Sequence, residues 1–430
     1  MTIGARLLAV GARRNVALAS CGGYCTCGQW APPRAALSRS PISAQEPPAM
    51  QAATQQRLIR RVLDLVSART TDMASESFAN PVERYLDADR YAREVDVLFR
   101  QTPQLVAHTS QLAEPGDFLV HDAAGVPVLL MRGDDGRLRA FLNVCRHRGT
   151  RIVNDACGRG AKSLVCPYHA WKYSSRGDLV GIPQREGFAD LDTTQLGLVQ
   201  LPLAERYGFA WVVFTPGVEL DIDAHLAGVA EDLESYDFST HTVYDTRVIE
   251  KPVNWKLSLD LFLETYHIRS AHHETIWPLF MDNVGVFERL GPHQRTLFPK
   301  RSITELQDVD PESWDLRPHC NILYSLFPST GILVQPDHAA VLNTFPVGID
   351  RICVSAMTLI PQPADSDKAR QYWDANVALF YRTIDEDFAL GESIQRGLSS
   401  GANTHLNFGR YEQALGWFHE TVNRAVDASR

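Results

Sequence analysis

Two short segments, each with a cysteine close to a histidine, constrain this chain more than any other feature of its sequence. In CRHRG, Cys145 and His147 are separated by one residue, and in CPYHAW, Cys166 and His169 are separated by two. Together the segments supply two thiolates and two imidazoles from two loops, each predicted to be the tip of a hairpin. This donor set suits a tetrahedral zinc ion or a [2Fe-2S] cluster with two cysteine and two histidine ligands.

The other cysteines do not indicate a disulfide scaffold. Eight cysteines in 430 residues are too few for one, and two of them stand close to histidines, which indicates metal binding in a reducing compartment. Cys21, Cys25 and Cys27 lie in the N-terminal leader, and we interpret them as incidental rather than as a second metal site.

The leader, residues 1–49, has an unusual composition. Its first 45 residues contain no Asp or Glu but five arginines. Such a composition is typical of an organelle transit peptide, and equally of translated upstream sequence with the true start at Met50 or Met73. We therefore leave the leader out of fold reasoning and predict a cytoplasmic protein, with organelle import only if the leader is a genuine transit peptide.

Length and charge exclude several classes of protein. A chain of 430 residues exceeds one ordinary core, so we expect two domains. No apolar stretch approaches the roughly 20 residues of a membrane helix, which argues against a membrane protein. The net charge of -9 comes without a basic block, which argues against nucleic-acid binding.

The first half of the chain is predicted to be rich in strands. An amphipathic helix over 85–101 precedes short β-branched and aromatic runs, with one hairpin at Asp135-Gly136 and another over 173–181. The alternation stops near residue 217, where we place a domain boundary. The elements predicted beyond it are a strand over 241–253, a helix over 254–268, strands between 320 and 360 and a long helix within 366–400. Strands followed by helices at the ends predict an α+β fold.

A second group of polar residues lies in the apolar helix predicted over 254–268. Asp260, Glu264 and His267 fall at positions i, i+4 and i+7, which places them on one stripe. His272 follows His267 by five residues, out of helical phase, so the helix must bend or end between them if both rings converge. Two imidazoles and one carboxylate around an open position form the facial triad of non-haem Fe(II) oxygenases.

The missing carboxylate is predicted to come from the long C-terminal helix. Asp387 lies on its apolar face, three residues after Ile384, whereas Asp385 and Glu386 are predicted to point away. An inward carboxylate is costly unless it is paired or bound to metal. His273 and Glu274 are rival ligands to His272 and rank below it on spacing.

The two groups of residues together resemble the large (alpha) catalytic subunits of Rieske non-haem iron oxygenases, of the ring-hydroxylating or quaternary ammonium type. CRHRG and CPYHAWKY are similar to the Rieske signature, and NWKLSLDLFLETYHIRSAH is similar to the family's iron-binding motif. The resemblance implies that Cys145 and Cys166 hold one iron of the cluster and His147 and His169 the other. It also implies that His267, His272 and Asp387 hold a mononuclear Fe(II).

The resemblance implies a fold and a division of the chain. The family combines an all-β Rieske domain with a catalytic domain in which an antiparallel sheet grips a long helix. The expected division is a leader over 1–49, a helical segment over 50–103 that packs on the catalytic domain, the Rieske domain over 104–217 and the catalytic domain over 218–430. Ala170 and Leu261 depart from the family, which more often has Gly and an amide at these positions.

The activity implied is hydroxylation, demethylation or dihydroxylation of a small aromatic or quaternary ammonium compound with O₂. Because no G-x-G-x-x-G follows a strand, a separate reductase or ferredoxin must supply electrons. Glu264 is expected to bridge His267 to a cluster histidine of a neighbouring chain, which predicts a cyclic homotrimer. The alternatives are a Rieske-type electron carrier without oxygenase activity and a zinc-binding interaction module.

Overall fold

The computed structural model describes residues 50–428, and the leader predicted over 1–49 lies outside them. The first described segment consists of α1 (Ala52–Ala68), β1 (Phe78–Pro81), α2 (Glu83–Leu86) and α3 (Ala88–Glu94). The apolar face of α1 buries Leu58, Ile59 and Val62 in the same core as strands from the C-terminal half. This segment therefore packs against the C-terminal half of the chain.

The single helix predicted over 85–101 is divided in the structure. Asp87 lies between α2 and α3, where its side chain accepts a hydrogen bond from the Arg90 main-chain N–H and so caps α3. A π-helical turn, Val95–Arg100, continues the chain, and Leu98 and Phe99 are buried there as their spacing predicts. The apolar face was predicted correctly, whereas the continuity of the helix was wrong.

The middle of the chain contains eleven short strands, joined by loops and short 3-10 turns. They are β2 (Gln104–His108), β3 (Phe118–Ala123), β4 (Val126–Arg132), β5 (Leu138–Leu142), β6 (Cys157–Gly158), β7 (Ser163–Val165), β8 (Lys172–Ser174), β9 (Leu179–Gly181), β10 (Gln200–Leu201), β11 (Leu203–Arg206) and β12 (Phe209–Val212). They form three sheets, ordered β10-β5-β4-β3-β6, β7-β8-β9 and β11-β12-β2. The predicted hairpins are confirmed as β4–β5 and β8–β9.

The last part of the chain joins one large sheet to helices. Its elements are α4 (Ile222–Leu226), α5 (Ala230–Ser235), β13 (Thr242–Lys251), α6 (Trp255–Asp260), α7 (Ile268–Ala271), β14 (Val286–Leu290), β15 (His293–Pro299), β16 (Cys320–Leu326), β17 (Thr330–Val334), β18 (Ala339–Gly348), β19 (Arg351–Ile360), α8 (Asp367–Leu398), β20 (His405–Phe408) and α9 (Gln413–Asp427). The sheet is antiparallel, in the order β13-β19-β18-β17-β16-β15-β14. The α+β prediction is confirmed.

The two faces of this sheet have different roles. Along β16, Ile322 and Tyr324 point into a buried core shared with α1, because successive side chains alternate between faces. Asn321, Leu323 and Ser325 point the other way, toward α8, and line a cavity. None of the helices between residues 50 and 428 is both long and apolar enough to cross a bilayer.

Candidate metal centres

His267 and His272 flank a single helical turn. The helix predicted over 254–268 ends at Asp260, and α7 begins only after His267, which is its N-terminal flanking residue, while His272 is its C-terminal one. The two Nε2 atoms lie 3.2 Å apart. The rings thus converge as expected, although the reason is a break before His267 and not a bend in one continuous helix.

Asp260 does not belong to this group, so the predicted polar stripe is wrong. Its carboxylate accepts a hydrogen bond from the Tyr85 hydroxyl at 2.6 Å and lies 2.8 Å from His419 Nε2. Since the helix ends at Asp260, the i+4 and i+7 relationships no longer apply. Asp260 instead joins α6 to the N-terminal segment and to α9 in a buried polar cluster.

Asp387 meets both histidines from α8. Its Oδ1 lies 3.1 Å from His272 Nε2 and 3.4 Å from His267 Nε2, and the side chain is buried. The three side chains form a group whose ligand atoms all lie within 4.8 Å of one another. His273 and Glu274 are exposed and stand outside this group.

Each histidine also contacts a second carboxylate through Nδ1, the ring nitrogen that does not face Asp387. His267 Nδ1 hydrogen-bonds Glu264, and His272 Nδ1 lies 2.8 Å from Glu386 Oε2, which also accepts from the Thr275 hydroxyl at 2.7 Å. The prediction that Glu386 points away is therefore wrong. Sequence reasoning missed Glu386 because it lies beside Asp387 rather than on the same stripe of α8.

This arrangement fits a bound cation. Because each Nδ1 contacts a carboxylate, Nε2 is the nitrogen of each ring that is left to bind a metal ion in place of a proton, and both Nε2 atoms face one point together with the Asp387 carboxylate. Burial by itself lowers the pKa of His267, but Asp387 and Glu264 outweigh it and raise that pKa to about 10. The site attracts positive charge, and two imidazoles with one carboxylate suit Fe(II).

The Cys/His segments bring their residues together in two pairs, cysteine with cysteine and histidine with histidine. Cys145 and Cys166 are both buried, and the His147 and His169 ring centroids are 4.6 Å apart. Cys166 and His169 lie in the β7–β8 hairpin loop, as predicted. The other pair does not lie in a hairpin: the loop after β5 leads to β6, which pairs with β3.

The surroundings of the cysteines and histidines in CRHRG and CPYHAW fit a [2Fe-2S] cluster. His169 Nδ1 is buried and has no hydrogen-bond partner among residues 50–428, which is what a metal-binding nitrogen requires. His147 stacks on Trp171 at 4.8 Å, and the Tyr173 hydroxyl lies 3.3 Å from Cys145 Sγ. Burial raises the pKa of the Cys166 thiol, while N–H groups of the main chain hydrogen-bond its sulfur and oppose this.

Ala170, one of the two departures from the family, has a backbone conformation that shows why glycine is common at this position. Its φ is +56°, in the left-handed region where glycine is strongly favoured. An alanine there costs about 1 kcal/mol. Despite this cost, the Ala170 N–H still donates a hydrogen bond to the Cys166 carbonyl.

Comparison with known proteins gives a family match for each of the two segments that carry the proposed metal ligands. Residues 102–197 match the Rieske [2Fe-2S] domain, and residues 238–428 match the catalytic domain of the ring hydroxylating alpha subunit. The chain belongs to the Rieske non-haem iron oxygenases. It is thus the oxygenase component of a multicomponent oxidoreductase that needs an electron donor, and its cofactors are a [2Fe-2S] cluster and a mononuclear iron.

Individual relatives of this Rieske oxygenase cover most of its length. The glycine betaine monooxygenase oxygenase subunit of Chromohalobacter salexigens is 29% identical, over 81% of this chain and 86% of the relative. The carnitine monooxygenase oxygenase subunit of Escherichia coli K12 is 28% identical, over 76% and 85%. The inhibitor complex of the quaternary ammonium monooxygenase CntA has the same fold, with a TM-score of 0.72 at 23% identity over 81% and 96%.

A cavity of about 130 Å³ in this Rieske oxygenase opens onto the Asp387 group. One wall is the sheet face that carries Asn321, and the opposite wall comes from α8 and from the segment after α6. Leu261, which stands where the family often has an amide, lines the cavity. Gly391 of α8 leaves the space for it, since a Cβ there would lie 2.9 Å from Leu261 Cδ1.

Proposed function

We propose that His267, His272 and Asp387 hold the mononuclear iron of this oxygenase. The observation that carries the proposal is the convergence of two imidazole Nε2 atoms and one carboxylate at the end of an apolar cavity. By the same reasoning, Cys145, Cys166, His147 and His169 hold the cluster. When bound, the iron supplies O₂ activation driven by electrons from the cluster.

The protein's own residues prepare the site for this chemistry. Glu264 and Glu386 fix the tautomer and orientation of the two rings by accepting from their Nδ1 atoms. The leucine, isoleucine and phenylalanine side chains of the cavity exclude water from the reacting substrate. We also propose a division of the chain at residue 217, with the cluster in a Rieske domain over 104–217 and the iron in a catalytic domain over 218–430.

Because Glu386 contacts Nδ1 of His272, substitution of Glu386 is expected to lower the affinity of the site for iron. Glu386→Gln keeps the size of the side chain but removes the charge that orients His272, so the dissociation constant for Fe(II) is expected to rise about 10- to 100-fold. Chelator competition on the purified enzyme measures it. Asp385→Asn, a neighbouring exposed carboxylate, is the matched control, and equal iron affinity in both variants would contradict this role.

Electron delivery is proposed to cross between chains through Glu264. One of its oxygens accepts from His267 Nδ1, and the other accepts from the main-chain N–H of Tyr266 and of His267. Tyr266 is 55% exposed, so this side of the site reaches the surface. At the proposed cluster site, Tyr168 packs beside His169 and is 54% exposed. We propose that these two surfaces meet head to tail in a cyclic homotrimer, with a reductase or ferredoxin as the donor.

Glu264→Gln separates this route from a purely structural role. The variant is expected to slow reduction of the mononuclear iron about tenfold or more, because the neutral amide no longer holds His267 and a neighbouring cluster ring in fixed orientation. Reduction of the cluster itself is expected to be unchanged. Stopped-flow absorbance follows the cluster, and rapid-freeze Mössbauer spectra follow the iron. Equal rates of iron reduction in both proteins would rule out the bridge.

The assembly is tested separately by sedimentation velocity at the concentration of the activity assay. A trimer is expected there, since a chain without its neighbour has no donor cluster next to Glu264. A fully active monomer would contradict the trimer while leaving the iron site unaffected.

A further inference from the structure

We propose that the cavity takes an uncharged, largely apolar organic molecule held by one hydrogen bond to Asn321, and not a zwitterionic betaine. The inference rests on the proposed oxygenase function and names the substrate class of the same site. It follows from the side chains that line the cavity and from one polar group that the protein leaves without a partner.

The cavity wall contains almost no free charge. Its charged or titratable members are Glu264, His267, His272 and Asp387, all of which are committed to the proposed iron site. Among the described residues that line it there is no lysine and no arginine. The carboxylate of a bound betaine would therefore have no cationic side chain among these residues and could pair only with the proposed iron, where it would compete with O₂ for the open positions.

The cavity wall also has few groups that would bind a quaternary ammonium cation. Such cations bind best to the faces of Trp and Tyr or to a carboxylate, whereas the aromatic residues of this wall are four phenylalanines: Phe262, Phe280, Phe298 and Phe380. The nearby carboxylates already face histidines, and a bound Fe(II) repels a second cation. Phenylalanine edges and faces instead pack well against a flat, neutral ring.

The directional contact of the proposal comes from Asn321. Two of the four hydroxyl groups that line the cavity are occupied: the Ser329 hydroxyl donates to the Thr344 carbonyl at 2.7 Å, and the Thr383 hydroxyl donates to the Leu379 carbonyl at 3.0 Å. The Asn321 Oδ1 atom is buried and makes no hydrogen bond with any residue in 50–428. A buried polar atom in that state gains most from a ligand that pairs with its carboxamide.

Binding to the anaerobic holoenzyme tests the proposal without requiring turnover. The probes are indole, benzofuran, glycine betaine and L-carnitine, titrated by calorimetry. Indole and benzofuran have nearly the same shape, but only indole has an N–H donor. Both bicyclic compounds are expected to bind, with indole about tenfold tighter. Glycine betaine and L-carnitine are expected to show no binding at about 100-fold higher concentration. Binding of either zwitterion as tightly as indole would overturn the substrate class.

Variants test the contact with Asn321. In Asn321→Leu, and in Asn321→Ala as a second variant, the tenfold preference for indole is expected to disappear while benzofuran still binds. Ser329→Ala is the control, because its hydroxyl is already paired within the protein, and it is expected to keep the preference. A preference for indole that survives in both Asn321 variants would overturn the anchor. Iron content, measured on the same samples, reports separately on the proposed metal site.

Discussion

His272→Ala and Asp387→Ala are expected to abolish substrate-dependent O₂ consumption and to remove the mononuclear iron. Each variant deletes one of three converging ligands, and the remaining two do not hold Fe(II) against dilution. Iron analysis is expected to fall by one ion per chain, from the roughly three that a [2Fe-2S] cluster and one further ion supply. The visible spectrum of the cluster is expected to remain, because none of its proposed ligands is altered.

The control for this experiment is Asp385→Ala. Asp385 precedes Asp387 by two residues on α8 but is exposed and pairs with Lys251 at the surface. Its loss is expected to leave both iron content and turnover within about twofold of the wild type, since exposed ion pairs contribute little. Full iron occupancy in both His272→Ala and Asp387→Ala would refute the proposed triad.

Cys145→Ala and His169→Ala are expected to abolish the visible absorbance of the cluster and, with it, all turnover from an external donor. Two thiolates and two imidazoles hold a Rieske centre, and loss of one leaves an iron without its ligand set. Ultraviolet-visible and electron paramagnetic resonance spectra measure the cluster directly. The mononuclear iron is expected to remain, because it lies on different elements, and the polypeptide is expected to stay folded.

Cys157→Ala is the matched control for the cluster. Cys157 lies on β6 in the same part of the chain and is not among the proposed ligands. Its replacement is expected to leave the spectrum unchanged. An unaltered cluster spectrum in Cys145→Ala or His169→Ala would show that the ligand assignment is wrong, and a colourless wild type that contains zinc would favour the zinc-binding alternative.

Local motifs in the sequence were sufficient to predict much of this molecule. The spacing in CRHRG and CPYHAW depends on short loops, so their cysteines and histidines are expected to lie close together, and in the structure the two histidine rings are neighbours and both cysteines are buried. Asp387 was predicted from a helix long enough for its apolar face to be unambiguous. Such features depend on neighbouring residues in the chain, which is what single-sequence reasoning captures.

Contacts between distant elements were not predictable in the same way. Asp260 was assigned to the iron stripe because the apolar run around it continues, yet the helix ends there and the side chain pairs with Tyr85 and His419. Glu386 was assigned to solvent because a periodic pattern gives each helix one buried face. In the structure His272 approaches α8 from the side, and this approach depends on the path of residues 261–272. No local signal encodes that path.

Helix α8 lines the cavity and also carries the proposed iron ligand. Phe380, Thr383, Ile384 and Asp387 follow one another at i, i+3, i+4 and i+7, so they form a single stripe on a rigid rod. A molecule that presses on Phe380 or Ile384 therefore acts on the same body that positions the Asp387 carboxylate. We therefore expect occupancy of the cavity and affinity for the metal to be thermodynamically linked, and by reciprocity any strengthening of one by the other would be returned in equal measure.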